Sequence, residues 1–410
     1  MLSEKSIQMI KSTVPVLEVH GVTITKRFYE LLFGNHPELL NLFNHANQMQ
    51  GRQQTALANT VYAAALHIDN LPAIIPVVKQ IGHKHRSLGV KAEHYPIVGK
   101  YLLMAIKDVL VDAATDDILQ AWAEAYGVIA DAFIGIEAEM YEQTRTQAGG
   151  WEGFRAFRVE RKVKESDVIS SFYLVPEDGG ALAEFEPGQY VSIKMQIAGE
   201  EHTHIRQYSL SDSSGKAYYR ISVKREDAGQ DRPAGKVSTY LHEHIHEGAI
   251  VWLSAPAGDF TLNQADERPV VLLSGGVGLT PMISMLNKLA EKYPERPVTF
   301  IHAAQNGNVH AMKDAVTTLA LSHPQLSVYY CYEKPTEQDR NEKAFHKEGY
   351  IDLAWLKQAI ADPNAQYYFC GPVPFMQAIN RALHSMDIPE SDIHFEFFGP
   401  AASLEPVAVV

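Results

Sequence analysis

Apolar residues recur at spacings of three, four and seven from residue 1 to about 143, so the chain opens on a run of amphipathic helices. Pro15, Pro37 and the turn from Asp69 to Pro72 punctuate that run, and almost no alternating pattern interrupts it. After the small, flexible segment Gln147-Ala148-Gly149-Gly150 the period drops to two. The stretches SSFYLV, QYVSIKM, RQYSL, YYRISVKR and AIVWLSAP then predict a small antiparallel barrel, interrupted by one helix near Val237 to His246. Beyond Pro269 the apolar runs VVLLS, VTFIHA, SVYYCY, YYFCG and IHFEFF alternate with helical segments, the signature of a doubly wound parallel sheet. The expected fold is multidomain: all-α over 1–146, an antiparallel β barrel over 151–263, and α/β over 267–410.

Composition narrows what such a chain can do. Its 410 residues, 46% apolar and 21% charged, suffice for several buried cores. The net charge of -13 repels phosphate backbones and argues against nucleic acid as a partner. The opening MLSEKSIQMI carries charges where a signal peptide would be apolar, and no run of about 18 apolar residues occurs, so a soluble, cytoplasmic protein is expected. With only Cys331 and Cys370, neither a disulfide framework nor a cysteine-built metal centre is expected, and redox chemistry must come from cofactors.

Eighteen histidines make face position the discriminating test. His85 follows Ile81, Val78 and Ile74 by four, seven and eleven residues and so shares their inward stripe, whereas His83 shares a face with Lys79 and Gln80. Glu137, between Phe133 and Met140 on the inner face of the last helix, needs a buried partner. An imidazole N–H donating to that carboxylate is the usual support of a metal-bound histidine, with Tyr95 available for a third hydrogen bond. The residues alone leave a structural ion pair equally open. Opposite, Tyr29 lies seven after Val22 and three before Leu32, and Gln53 four before Leu57 and eight before Val61, so both should face inward. Two donors across from a histidine describe a pocket for a polar diatomic ligand on haem iron; a tyrosine at the core edge and a glutamine at a helix start are the plainer alternative.

The segments YELLFGNHPELLNLFN, KHRSLGVKAEHYPIVG and EAEMYEQ, with the Leu57 helix between the first two, resemble bacterial flavohaemoglobins in order and spacing, and the resemblance spans essentially the whole chain. It implies a globin fold in which His85 is the proximal ligand of haem b, with Tyr95 and Glu137 hydrogen-bonded around it. Tyr29, Gln53 and Leu57 would form the distal pocket and Phe43 would pack on the porphyrin.

The reductase half carries its own motifs. Arg206-Gln207-Tyr208-Ser209 resembles the R-x-Y-S strand of ferredoxin-reductase-type flavoproteins, and strand alternation lets Arg206 and Tyr208 share one face while Ser209 takes the other. Gly235-Lys236-Val237-Ser238 opens the inserted helix and offers free N–H groups to a pyrophosphate, though such a tetrapeptide is also common capping chemistry. Pro187-Gly188-Gln189-Tyr190 completes the pattern and implies FAD beside Tyr190. The strand VVLLS runs into Gly275-Gly276-Val277-Gly278-Leu279-Thr280-Pro281, a dinucleotide phosphate loop of the G-G-x-G-x-T-P kind used by this reductase family, or a ligand-free tight turn. Cys370-Gly371-Pro372 ends a later strand, where Cys370 would approach the nicotinamide or be a small buried thiol without chemistry. The final strand is read as carrying Glu396-Phe397-Phe398-Gly399-Pro400, and the resemblance places Glu396 and Phe398 near the flavin.

A flavin between a two-electron hydride carrier and one-electron iron is what such a relay requires. The resemblance thus implies NAD(P)H-dependent oxidation of NO by O2 to nitrate, a detoxifying activity, in a monomer whose haem pocket could also take a lipid. Lys84 would meet a haem propionate, the flavin domain or solvent. The segment from His302 to His310 contains no Lys or Arg for a 2′-phosphate and no acid for a ribose hydroxyl, which leans weakly to NADH. A haem sensor or store, or a flavin-driven reductase of peroxides or other acceptors, are the alternatives. The polar, Pro-containing loop from Glu226 to Gly235 and the tail AASLEPVAVV have no assigned path.

Overall fold

A computed structural model describes residues 2–43, 48, 50–229, 233–399 and 404. The chain divides into two compact units, one comprising Met1–Arg155, Ser192–Arg206 and Leu253–Ala257, the other Ala156–Val191, Gln207–Trp252 and Gly258–Val410.

The first unit is built on six helices among the described residues: α1 Glu4–Ser12, α2 Val14–Asn35, α3 Arg52–Leu66, α4 Ile75–Leu88, α5 His94–Leu110 and α6 Asp116–Thr146. Ser3 caps α1 by accepting from the Ser6 N–H, and Thr115 caps α6 by accepting from the Ile118 N–H. Thr13 alone separates α1 from α2, and Pro15 falls in the first turn of α2, where a missing N–H is harmless. Gly89 ends α4 at φ +83, a conformation that favours glycine. The main core gathers Phe28, Leu32, Ile106 and Trp122, and a second cluster of Val78, Tyr95, Ala130 and Phe133 forms where α4, α5 and α6 meet. Val22, used above as a marker of the inner face of α2, is instead 39% exposed; Phe28 and Leu32 carry the buried stripe, and Tyr29 is buried with them.

Six strands make the antiparallel sheet: β1 Phe154–Lys164, β2 Ile169–Pro176, β3 Tyr190–Met195, β4 His204–Ser209, β5 Tyr219–Lys224 and β6 Ile250–Ser254, in the order β4-β3-β6-β1-β2-β5. A bridge between Leu210 and Ile221 draws its two ends together. The inserted helix, α7, spans Lys236–His244, and the Lys162 ammonium closes its far end by donating to the carbonyls of Leu241, His242 and Ile245.

The parallel sheet contains β7 Val270–Gly275, β8 Val298–Ala304, β9 Leu326–Tyr332, β10 Lys347–Glu348, β11 Gln366–Cys370 and β12 Ile393–Glu396, in the order β10-β9-β8-β7-β11-β12. Helices α8 Leu279–Lys292, α9 Lys313–Ser322, α10 Glu337–Asn341, α11 Leu353–Ala359 and α12 Val373–His384 connect the strands. Every residue of β7 and of β11 is buried, as covered parallel strands require. Strand order reverses between β7 and β11, the switch point at which such sheets bind ligands. The final strand stops at Glu396, so Phe397 to Gly399 lie beyond it, while Pro400 and all of the tail but Leu404 fall outside the described residues.

Candidate functional site

The carboxylate on α6, the imidazole on α4 and the phenol on α5 converge. His85 Nδ1 lies 2.7 Å from Glu137 Oε1 and 3.2 Å from the Tyr95 hydroxyl, and that hydroxyl donates to the same Oε1 at 2.6 Å. With Tyr95 already donating to Oε1, the arrangement selects the imidazole tautomer whose proton is on Nδ1, which leaves the Nε2 lone pair available. Tyr126 secures Tyr95 by donating to its backbone carbonyl at 2.6 Å. Burial, and then the bond to Glu137, raise the Tyr95 phenol above its ordinary range, so it remains a donor. Glu137 is 3% exposed while the His85 side chain is 31% exposed, so the acid is sealed in and the imidazole is not. The Phe133 ring packs 5.8 Å from the imidazole.

On α2 the Tyr29 phenol is buried and hydrogen-bonds with the side chains of Gln53 and Gln48; burial raises it, keeping the hydroxyl protonated. Phe33 stacks on its ring at 5.5 Å and Phe43 meets it edge-on at 5.8 Å. Leu57 and Phe43 are partly buried against the same core. Gln48 escaped sequence reasoning, since it sits in a polar stretch with no periodicity to orient it. An imidazole with a bare nitrogen, and a buried tyrosine hydroxyl hydrogen-bonded to half-buried glutamines, both lined by aromatic rings, fit a haem.

In the antiparallel sheet, burial along β4 does not alternate as expected: His204, Ile205 and Ser209 are buried, while Arg206, Gln207 and Tyr208 in succession are half-buried. The Ser209 hydroxyl is buried and has no hydrogen-bond partner among the described residues, the mark of a group awaiting a ligand. The Arg206 guanidinium donates to the Ile205 carbonyl at 2.7 Å. Tyr190 starts β3 and lies against Gly258, where an added Cβ would come within 3.0 Å of the phenol ring. Gly235 precedes α7 in an extended conformation and has no room for a Cβ, which would meet Ser238 Oγ at 2.7 Å. Ser238, four residues into that turn, donates back to the Gly235 carbonyl at 3.0 Å and accepts from the Glu226 N–H at 3.1 Å. Lys236 and Val237 thus begin a helix whose first N–H groups have no helical acceptor, an anion-binding end. An orphaned hydroxyl, a tyrosine ring and this helix end fit a flavin with its phosphates.

At the switch point the phosphate-loop glycines abut the end of β11. Gly276 takes φ +54, and a Cβ on Gly278 would stand 2.2 Å from the Cys370 carbonyl oxygen. On Gly275 or Gly371 a Cβ would strike the Phe375 ring at 3.0 or 2.7 Å. Val277 is half-buried, and Leu279, Thr280 and Pro281 begin α8 fully buried, with Pro372 adjoining the loop. Cys370 is fully buried, in register with Ser274 on one side and Glu396 on the other. Burial, reinforced by Glu396, raises its thiol well above the ordinary value, so it is a neutral thiol and not a nucleophile. Phe398, 46% exposed, follows the strand. Behind the loop, Ser274 Oγ lies 2.8 Å from His302 Nδ1, and the His302 and His310 rings stand 4.5 Å apart; sequence reasoning had treated this stretch only for its missing charges.

Residues 26–133 match the globin family, residues 156–262 the oxidoreductase FAD-binding domain family and residues 272–381 the oxidoreductase NAD-binding domain family. The flavohemoprotein of Bacillus thuringiensis subsp. konkukian is 62% identical over 405 residues, covering 99% of this chain and 100% of its own. That of Bacillus subtilis is 55% identical over 404 residues, covering 98% and 99%. The crystal structure of the Malassezia yamatoensis flavohemoglobin, with bound FAD and heme, matches with a TM-score of 0.84 at 29% identity, over 97% of this chain and 100% of that one. The FAD/NAD-binding domain of the nitric oxide dioxygenase from Vibrio cholerae O1 biovar El Tor matches at 0.55 and 39% identity, over 60% and 99%. Among the described residues no helix is long and apolar enough to cross a membrane. With its globin, FAD-binding and NAD-binding domains in that order, this chain belongs to the flavohemoprotein family of haem- and flavin-dependent oxidoreductases.

Proposed function

We propose that this chain is a nitric oxide dioxygenase: two NO, two O2 and one NADH yield two nitrate, NAD+ and one proton. The observation that carries the reading is the hydrogen-bonded Tyr29–Gln53 pair inside a globin domain that also holds the His85–Glu137–Tyr95 triad. The V. cholerae relative, matched over its whole reductase part, bears that activity's name. When bound, NADH supplies hydride, FAD divides it into single electrons, and haem iron supplies the centre at which O2 meets NO.

Each residue has a task in this reading. His85 presents Nε2 to iron, and Glu137, by drawing on the Nδ1 proton, makes the imidazole a stronger donor. Tyr29 and Gln53 offer hydrogen bonds to a diatomic ligand as negative charge develops on it, without reorganising. Leu57 and Phe43 exclude water from that side. Tyr190, Arg206, Gln207, Tyr208 and Ser209 seat the flavin, Gly235 to Ser238 its pyrophosphate, and Glu396 and Phe398 border its ring. Gly275 to Pro281 take the dinucleotide phosphates, with Cys370-Gly371-Pro372 beside the nicotinamide.

The same reading favours NADH. Two cations reach the loop after β8: Lys334, whose backbone N–H donates to the Gln305 carbonyl at 2.8 Å, has its ammonium ion-paired with Glu333 at 3.5 Å, and the charge of Lys313 is felt by Asp339. Asp339 adds negative charge by accepting from the Gly307 N–H at 3.2 Å. A 2′-phosphate would meet no lysine here that is not already offset by an acid, Glu333 for Lys334 and Asp339 for Lys313. The test is NADH-driven NO consumption by the haem- and FAD-loaded protein in air. Nitrate should appear mole for mole with NO and vanish in His85→Ala, which should still pass electrons from NADH to dyes; nitrite as the main product would overturn the reading.

A further inference from the structure

Ser87, two residues beyond His85 on α4, and Ser192 on β3 are both fully buried. The Ser192 hydroxyl donates to the Ser87 hydroxyl at 2.9 Å, and the Ser87 hydroxyl donates onward to the Lys84 carbonyl at 2.8 Å. That carbonyl belongs to the peptide unit joining Lys84 to His85. Two directed hydrogen bonds therefore run from β3 to the backbone that carries the imidazole. Arg86, between them, is 7% exposed and donates its guanidinium to the Pro256 carbonyl. The Ser192 N–H donates to Ser254 Oγ at 2.9 Å, which ties β3 to the end of β6. All of these residues lie within the first compact unit.

Stability does not explain this choice of residues. A buried hydrogen bond adds little net stability, and two alanines of similar shape would fill the space at little loss. What a directed hydroxyl chain adds is a fixed distance and orientation. One of its ends is the peptide of the residue that would hold iron, and the other is two residues along β3 from Tyr190, which would border the flavin.

We propose that Ser87, Ser192 and Arg86 are positioning residues that latch the His85 helix to β3, and that electron delivery to the haem depends on this latch while flavin reduction does not. The inference rests on the haem–flavin relay proposed above. NADH passes two electrons and one proton to the flavin as hydride; the two electrons leave singly for ferric iron and that proton goes to solvent. Only the second transfer has iron as its acceptor.

The test uses the loaded full-length protein, mixed anaerobically with NADH while flavin absorbance and the haem Soret band are followed separately. In Ser87→Ala/Ser192→Ala, flavin bleaching should match the parent and haem reduction should slow about tenfold or more, since an ångström of misplacement can cost up to ~100-fold. The iron–histidine stretching frequency should stay at the parent's value, because Glu137 and Tyr95 are untouched. Ser192→Ala alone keeps the Ser87 bond to Lys84 and should slow haem reduction to a lesser degree. Haem reduction at the parent rate in the single variant, or equal slowing of both signals in either variant, overturns the latch alone. A parent whose haem stays ferric under NADH overturns the relay and the latch with it.

Discussion

Tyr95 donates its hydroxyl proton to Glu137 at 2.6 Å, on the oxygen that also faces the His85 imidazole. One acceptor thus serves two donors, and the phenol and the imidazole are oriented by the same atom. Glu137→Gln weakens both contacts and loses the full charge. Second-layer changes of this kind typically cost 10–100-fold, so NO consumption should fall by roughly tenfold or more and the iron–histidine stretch should shift to lower frequency. An unchanged stretch would show that the acid has no electronic role.

Tyr29→Phe keeps the stacking on Phe33 and removes only the hydroxyl. Loss of one preorganised donor costs about 100-fold in related settings, and O2 dissociation, measured by flash photolysis, should accelerate by a similar order. Thermal stability should change little, because the ring remains.

Gly278→Ala places a methyl 2.2 Å from the Cys370 carbonyl oxygen, a backbone atom that cannot swing away. Overpacking of this kind costs about 1–3 kcal/mol. A lowered Tm and loss of NADH-driven flavin reduction, with dithionite-driven reduction intact, are the expected results.

His302 is fully buried, and burial lowers its pKa from 6.5 to about 3. Between those values the unfolded chain binds a proton that the folded chain refuses, so stability is complete above about pH 6.5 and declines as pH falls toward 3, by roughly 1.4 kcal/mol per pH unit. His310, also lowered by burial, acts in the same direction. His302→Gln removes one titration, and its acid-unfolding midpoint should lie at lower pH than the parent's when both are normalised to their stability at pH 7.

Burial pushes the Cys331 thiol up to about 12 and holds the Cys370 thiol well above its ordinary value. Both thiols should therefore resist a disulfide reagent in the folded protein and both should react in denaturant, giving two equivalents. A fast-reacting thiol in the native state would contradict the packing at the end of β11.

Features set by periodicity were readable in advance, and those set by tertiary approach were not. His85 and Glu137 declared themselves because a polar group stood on an otherwise apolar helical stripe. The strands β7 and β11 did so because burial on both faces leaves an unbroken apolar run. By contrast β10 is two residues, Lys347 and Glu348, too short and too polar to signal a strand. Val22 misled as a marker because one valine on a long surface helix can face solvent at little cost. The last strand was drawn too long, since aromatic residues at 397 and 398 continue the composition after the pairing with β11 has ended at Glu396. Gln48, and the serine chain from β3 to α4, depend on segments distant in sequence, which no local pattern encodes.

The bridge between Leu210 and Ile221 has a bearing beyond the ligand sites. Strands β4 and β5 are the terminal members of their sheet, and unpaired terminal strands are where separate chains add to one another and aggregate. That bridge, with the Ser211 N–H donating to the Arg220 carbonyl at 2.8 Å, occupies the edge just beyond β4 and so shortens the template left open to a second chain.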